Sequence, residues 1–225
     1  MPINQSAGPF PSLCIADDAT FWPWHPWTDF ARWPDPGSVT VVLPVTGMAD
    51  WELGWPLDAE ETLSLGILRA AAARPALPEG RLLVLPPLRF VLGPSASCAF
   101  PVDPPLAHAA LAEGCSGVAA AGFRRIVLYN ASPWNEELID AAARDLRIDH
   151  GWQMFCINLS ALGLDLAPWR RSETTRLLAL WQELHDPAGG GPVLEAAADS
   201  LVELLREIAA RPPLPANGAI RPMTA

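Results

Sequence analysis

From residue 38 onward, short apolar, β-branched runs alternate with longer stretches whose apolar residues recur every three or four positions. The runs are residues 39–45 (Val39-Thr40-Val41-Val42-Leu43-Pro44-Val45), 81–85, 124–129 and 152–159. Runs apolar at nearly every position predict strands buried on both faces. Between them, residues 60–74, 104–121 and 135–147 have helical spacing. Pro75 and Pro78 stop the first helix, while Pro104 and Pro105 open the second and Gly122 follows its end. Two more helices are predicted at 172–185 and 193–211, separated by a turn or hinge at Gly189-Gly190-Gly191. Alternating strands and helices imply βαβ crossovers, hence an α/β three-layer sandwich around a mostly parallel sheet. In such sheets ligands bind beyond the carboxyl ends of the strands. Those ends are residues 46–61, 88–101, 130–135 and 160–171.

The first 37 residues follow no such period. Trp22, Pro23, Trp24, Pro26, Trp27, Trp33, Pro34 and Pro36 crowd together, and this density of proline forbids a long helix. One short helix fits at 28–33 with Thr28 as N-cap. The expected organisation is an N-terminal arm at 1–37 anchored by tryptophans, a domain at 38–211 and a tail at 212–225. The exposed aromatics of the arm are a candidate interface element.

Composition narrows the chemistry. The 225 residues include 25 prolines, 10 tryptophans and no lysine, and 15 arginines face 25 carboxylates for a net charge of -10. Without lysine there is no Schiff base, no lysine general base and no phosphate-loop lysine. An acidic surface argues against nucleic-acid and anionic-membrane partners. No apolar run is long enough to span a bilayer, and no basic region precedes an apolar one near Met1. Cys14, Cys98, Cys115 and Cys156 show no C-x-x-C spacing, so reduced thiols and a cytoplasmic protein are expected.

Candidate site chemistry starts with the acidic cluster Asp50, Glu52, Asp58, Glu60 and Glu61 after the first strand. One reading is a solvated loop in which Asp58 caps the next helix and the two glutamates favour its first turn. In the other, Glu60 points into a cavity at the strand ends. Ser132 has the chemistry of a nucleophile but lies in no G-x-S-x-G elbow and has no histidine nearby in sequence, so a structural role is expected. Asn130 and Asn135 flank its loop and are expected to hold loop backbone.

Four strand-end segments, in order, resemble the creatininase (creatinine amidohydrolase) family. Leu43-Pro44-Val45-Thr46-Gly47 with Trp55-Pro56-Leu57-Asp58-Ala59-Glu60 resembles its L-P-V-G-S-x-E-Q-H-G-x-H-L-P-L-x-T-D run. Leu85-Pro86-Pro87-Leu88 with Phe100-Pro101 resembles L-P-P-L…F-P-G-T. Gly122 to Asn130, ending at Asn135, resembles G-F-R-R-I-L-L-V-N-G-H-G-G-N, and Ser172 to Leu180 resembles the E-T-S-x-M-L-A-L that follows H-A-G-E. The resemblance implies a metal-dependent amidohydrolase in which two divalent cations, held by His, Asp and Glu, polarise an amide and supply hydroxide. It also implies a homo-oligomer, hexamers included, or a subunit paired with a related protein.

The implied ligand positions carry the wrong side chains. The first glutamate falls on Ala49, the first histidine on Trp51, the aspartate on Glu60 and the N-G-H-G-G-N histidine on Ser132. The H-A-G-E positions fall on Pro168, Trp169, Arg170 and Arg171. Of these only Glu60 keeps donor chemistry, with Asp50, Glu52, Asp58 and Glu61 as nearby substitutes, so neither a metal nor another cofactor is expected. Arg170 or Arg171 is the expected counter-charge for Glu60. The tryptophans Trp51, Trp55, Trp134 and Trp169 either fill the cavity or line a pocket for a planar or apolar ligand in which the arginines fix an anion. The expected site therefore comprises Trp51, Asp58, Glu60, Asn130, Ser132, Trp134, Asn135, Trp169, Arg170 and Arg171, with Glu60 and Ser132 as catalytic candidates. The expected function is binding of a small molecule or partner protein without the two-metal centre. The alternative is an amidohydrolase acting on a C–N bond with a rebuilt site.

Overall fold

The computed structural model describes residues 20–77, 81–92, 97–166, 174–186 and 189–212. Its framework is a parallel sheet built from β1 (Thr40–Thr46), β2 (Leu82–Val84), β3 (Leu88–Arg89), β6 (Arg125–Asn130) and β7 (Gln153–Asn158). The strand order is β2-β1-β6-β7, with β3 also pairing with β1 further along the β2 side. Two short strands, β4 (Val91–Leu92) and β5 (Pro101–Val102), pair separately in parallel. The three shortest strands, β3, β4 and β5, lie outside the predicted runs because two residues carry no readable period.

Period-two alternation divides each strand between two cores. Val41, Leu43, Val45, Ile126, Leu128 and Met154 face one side, beneath α3 (Pro104–Ala120) and α4 (Glu136–His150). Val42, Val127, Tyr129 and Ile157 face the other, beneath α2 (Ala59–Ala72), α5 (Thr174–His185) and α6 (Pro192–Ala209). Helices therefore cover both faces, and this is the expected three-layer α/β sandwich. Gly151 ends α4 in the left-handed conformation at φ 67°, the usual backbone stop for a helix. Gly189 and Gly190 also lie at positive φ, in a turn closed by Gly189 N–H donating to the Asp186 carbonyl at 2.9 Å.

The arm's helix departs from expectation, while Trp22 and Trp33 pack as the anchors the sequence suggested. Helix α1 is a single turn, Trp27–Phe30, with Pro26 rather than Thr28 at the N-cap position. The arm's aromatics mostly turn inward. Trp22 stacks on Phe30 at 4.2 Å, and Phe30, Trp22 and Trp33 each pack against the fully buried Phe123. Trp27 alone among the large arm side chains described is strongly exposed, at 69 %. Phe21 bridges Val84 in parallel, and Val84 N–H donates to the Thr20 carbonyl at 2.8 Å, so the arm extends the sheet beyond β2. The buried Arg125 ties the arm to the end of α6 by donating to the carbonyls of Ser38 and Arg211.

Truncating Phe123 to alanine should cost about 3–5 kcal/mol, the usual cost of emptying a buried phenylalanine site. Trp27→Ala should stay within about 0.5 kcal/mol. Urea denaturation of both variants checks the assignment of inward and outward arm aromatics.

Candidate functional site

The sheet order creates one topological switch point. From β1 the chain crosses to β2 on one side, and later β6 joins β1 on the other. The crevice beyond the carboxyl ends of β1 and β6 is where an open parallel sheet presents a site. Ala131 N–H donates to the Val45 carbonyl at 2.9 Å, which carries the two chains side by side into this crevice. On β1 the next residue after the strand is Gly47, and on β6 the loop begins at Ala131-Ser132.

Helix α2 starts here and brings two adjacent glutamates into the crevice, both buried. The solvated-loop expectation therefore holds only for Asp50 and Glu52, which are exposed. Asp58 sits at the N-cap position, half-buried, but its carboxylate makes no capping bond. Its backbone carbonyl accepts from Thr62 N–H instead.

The two glutamates are satisfied differently. Glu61 faces Arg89 on β3, whose Nε and Nη2 donate to its two carboxylate oxygens at 2.6 Å and 2.7 Å. This two-pronged pair fixes α2 against the second strand end. Glu60 is fully buried, and its Oε2 accepts the Gly47 N–H at 2.6 Å. Its Oε1 has no hydrogen-bond partner, and neither does the buried Ser132 Oγ beside it. A Cβ built on Gly47 would lie 2.9 Å from Glu60 Oε2, 3.3 Å from Oε1 and 3.1 Å from Ser132 Oγ. The carboxyl and the hydroxyl therefore both close on Gly47, and a side chain there would force them to shift. Ser132 influences the carboxyl electrostatically without closing a hydrogen bond of ordinary geometry.

Burial raises the Glu60 pKa from an ordinary 4.5 to about 7, partly opposed by the Gly47 N–H and by Ser132. Desolvation dominates because the charged form loses its water and gains one amide donor. A carboxyl poised near neutrality exists in both protonation states under ordinary conditions.

The surrounding loops are cross-wired. Asn130 Nδ2 donates to the Ser132 carbonyl and to Asn158 Oδ1, and its Oδ1 accepts Ser132 N–H. Asn135 donates to the Phe90 carbonyl and accepts Leu92 N–H. Both asparagines thus hold backbone, as their positions suggested. Ala49 pairs with Cys98, and Asp50 N–H donates to the Ser97 carbonyl, which binds the first and second strand-end loops together. The half-buried rings of Trp51 and Trp134 meet across the crevice with centroids 5.1 Å apart. Trp51 Nε1 is buried without a partner.

Trp169, Arg170 and Arg171 lie outside the described residues, so the expected Glu60–arginine pair has no geometry here. Among the described residues the guanidinium at the glutamates is Arg89, which sequence reasoning passed over. The signal available was its place directly after Leu85-Pro86-Pro87-Leu88, at a strand end. Gly47 was also missed as a site residue, since its role is to donate an amide and leave space.

The sequence of residues 25–198 matches the family model Creatininase, described as creatinine amidohydrolase. The chain belongs to the creatininase family. No curated protein matches it at a significant level. Among solved structures, a tryptophan-to-alanine mutant creatininase is similar over 86 % of this chain and 100 % of its own, with TM-score 0.65 and 17 % identity. A structure titled creatinine amidohydrolase (creatininase) covers 87 % of this chain and 100 % of its own at TM-score 0.62 and 16 % identity. A putative creatinine amidohydrolase from Bacteroides fragilis NCTC 9343 covers 88 % and 99 % at TM-score 0.63 and 13 % identity. At these identities the structures establish a common fold.

One of the matching creatininases is described as a Zn–Zn form and another as a Mn form. A two-metal centre needs several N, O or S donors converging at coordination distance. Here one Glu60 oxygen is taken by an amide donor, and Glu61 is taken by Arg89. Among the described residues no group of three or more His, Cys, Asp or Glu comes together as metal ligands. The described residues do not fit such a centre.

The raised Glu60 pKa has a consequence for stability. The folded carboxyl holds its proton more tightly than the unfolded one. Its contribution is therefore fully present below about 4.5 and is lost as pH rises to about 7. Over that window wild-type stability should fall by up to about 3 kcal/mol from this group, with no further slope above it. Glu60→Gln should flatten the profile. Urea denaturation at about pH 5 and about pH 8 measures the difference; equal slopes in the two proteins would refute the assignment.

Proposed function

We propose that this creatininase-family chain works without the family's two-metal centre and uses the crevice between β1 and β6 to bind a small molecule or a partner protein. The single observation carrying this reading is the closure of Glu60 on Gly47 and Ser132. An amide and a hydroxyl stand around the one carboxylate retained at the implied ligand positions. Trp51 and Trp134 contact each other with centroids 5.1 Å apart, so a planar, partly apolar ligand would stack on the outside of the pair rather than between its rings. Self-association of the chain belongs to the same reading. No helix among the described residues is long and apolar enough to cross a membrane.

A second reading rests on a different observation. A carboxyl with a pKa of about 7 beside an unpartnered serine hydroxyl is suited to general acid–base work. In that reading Ser132 Oγ attacks an amide carbonyl and its proton passes to Glu60. The same proton leaves with the amine, and water then hydrolyses the ester and regenerates the hydroxyl. Both groups are closed to solvent, so the crevice would have to open for each turnover.

Two measurements separate these readings. Metal analysis of protein purified without chelators should give well below one zinc or manganese per chain; near-stoichiometric metal would overturn the proposal. Planar aromatic anions should quench tryptophan fluorescence saturably, and Trp51→Ala or Trp134→Ala should abolish that. Amide hydrolysis lost in both Glu60→Gln and Ser132→Ala would favour the second reading instead.

A further inference from the structure

At the amino ends of the strands, opposite the crevice, the fold leaves positive charge uncancelled. Thr40 opens β1 and Arg125 opens β6, and the two are partners across these strands, so their side chains share one face. Both are buried. Arg125 donates to the Ser38 and Arg211 carbonyls, but its Nε has no partner, and neither does Thr40 Oγ1. Among the described residues no carboxylate reaches Arg125 at ion-pair distance. Burial lowers its pKa, with Asp35 opposing the shift and Arg81 adding to it. Carbonyl dipoles solvate such a guanidinium without cancelling its charge. Ser38 also lines an open pocket of about 440 Å³, together with Asp29, Arg32, Trp33, Asp35 and Arg81. Through the Ser38 carbonyl, Arg125 therefore touches the wall of this pocket.

The charges of the pocket are only partly paired. Arg81 Nη1 donates to Asp35 Oδ2 at 3.2 Å, while its Nε and Nη2 make no hydrogen bond among the described residues. The Arg32 guanidinium and the Asp29 carboxylate pair neither with each other nor with another described side chain. With Arg125 behind the wall, three guanidiniums stand against two carboxylates, a local excess of positive charge on a chain of net charge -10. Guanidiniums donate in forks to oxyanions, so an anion with several acceptor oxygens fits this cluster. Asp29 narrows the class. An ionised carboxylate accepts hydrogen bonds and donates none, so it repels an oxyanion that carries no proton and accepts from one that carries a hydroxyl. Inorganic phosphate keeps a hydroxyl at neutral pH. Sulfate has none, and a phosphomonoester loses its own above a pKa of about 6.

We infer that this pocket is a site for hydrogen phosphate, with Arg32 and Arg81 donating to its oxygens, Asp29 accepting from its hydroxyl and Arg125 adding charge from behind the wall. The bound ion joins the arm, through Arg32, to the residue that leads into β2. Calorimetry on the full chain at about pH 8 should show saturable binding of inorganic phosphate, roughly tenfold or more tighter than sulfate or phenyl phosphate, neither of which carries a hydroxyl there. Arg32→Ala and Arg81→Ala should each weaken phosphate by roughly tenfold or more. Asp29→Asn supplies an amide that donates as well as accepts, so it should erase the preference by admitting sulfate. All three residues are exposed, so the variants should fold as wild type does. Phosphate should also raise the urea midpoint of wild type and leave that of Arg81→Ala unmoved. Absence of saturable phosphate binding overturns the inference. So does equal affinity for phosphate and sulfate in wild type, phosphate binding that survives both arginine variants, or a preference for phosphate that persists in Asp29→Asn.

Discussion

A carboxylate with no solvent contact must find donors or take up a proton, and Glu60 is placed where this constraint is severe. It enters the crevice because α2 begins directly after the loop that follows β1. The crevice exists because β6 joins β1 on the side opposite β2. One backbone amide reaches Glu60, so the carboxyl settles near neutral pKa rather than staying ionised. Gly47 supplies that amide, and a Cβ there would press on the carboxylate and on the Ser132 hydroxyl.

Glu61, one residue later, meets the same burial and resolves it by charge. Arg89 grips both of its oxygens from β3, a strand of two residues that pairs with β1 beyond β2. Neighbouring glutamates thus divide the work. Glu61 fastens α2 to the sheet, and Glu60 is left as the titratable group in the crevice. The asparagines Asn130 and Asn135 stitch the remaining loops, so Ser132 and Trp134 are presented by a backbone held at several points. In this arrangement the crevice is assembled by neutral hydrogen bonds and one ion pair. A family whose members include Zn–Zn and Mn forms can assemble the same place around cations.

The long elements were legible in the sequence because each carries its own period. The apolar runs around Val41, Leu83, Ile126 and Met154 became the four principal strands, and proline and glycine marked the helix ends. Family membership was legible in short segments at the strand ends, such as Leu43-Pro44-Val45 and the run from Gly122 to Asn130. Burial of single charged residues was not. Nothing in the local pattern distinguishes Glu60 and Glu61 from the exposed Asp50 and Glu52, since all four lie within one acidic stretch. The partner of Glu61 comes from 28 residues away, through a pairing too short to show a period. The inward turn of the arm's tryptophans depends on Phe123, a residue nearly a hundred positions later, and the proline-rich sequence alone reads equally well as an exposed strip.

The protonation of Glu60 is the point on which this account of the crevice stands. A titration of the carboxyl group by 13C NMR, or by its infrared stretch compared with Glu60→Gln, measures it directly. The account predicts a midpoint at about 7 that is unchanged by added zinc or manganese. A midpoint at or below the ordinary 4.5, or one that drops when either metal is added, would contradict it.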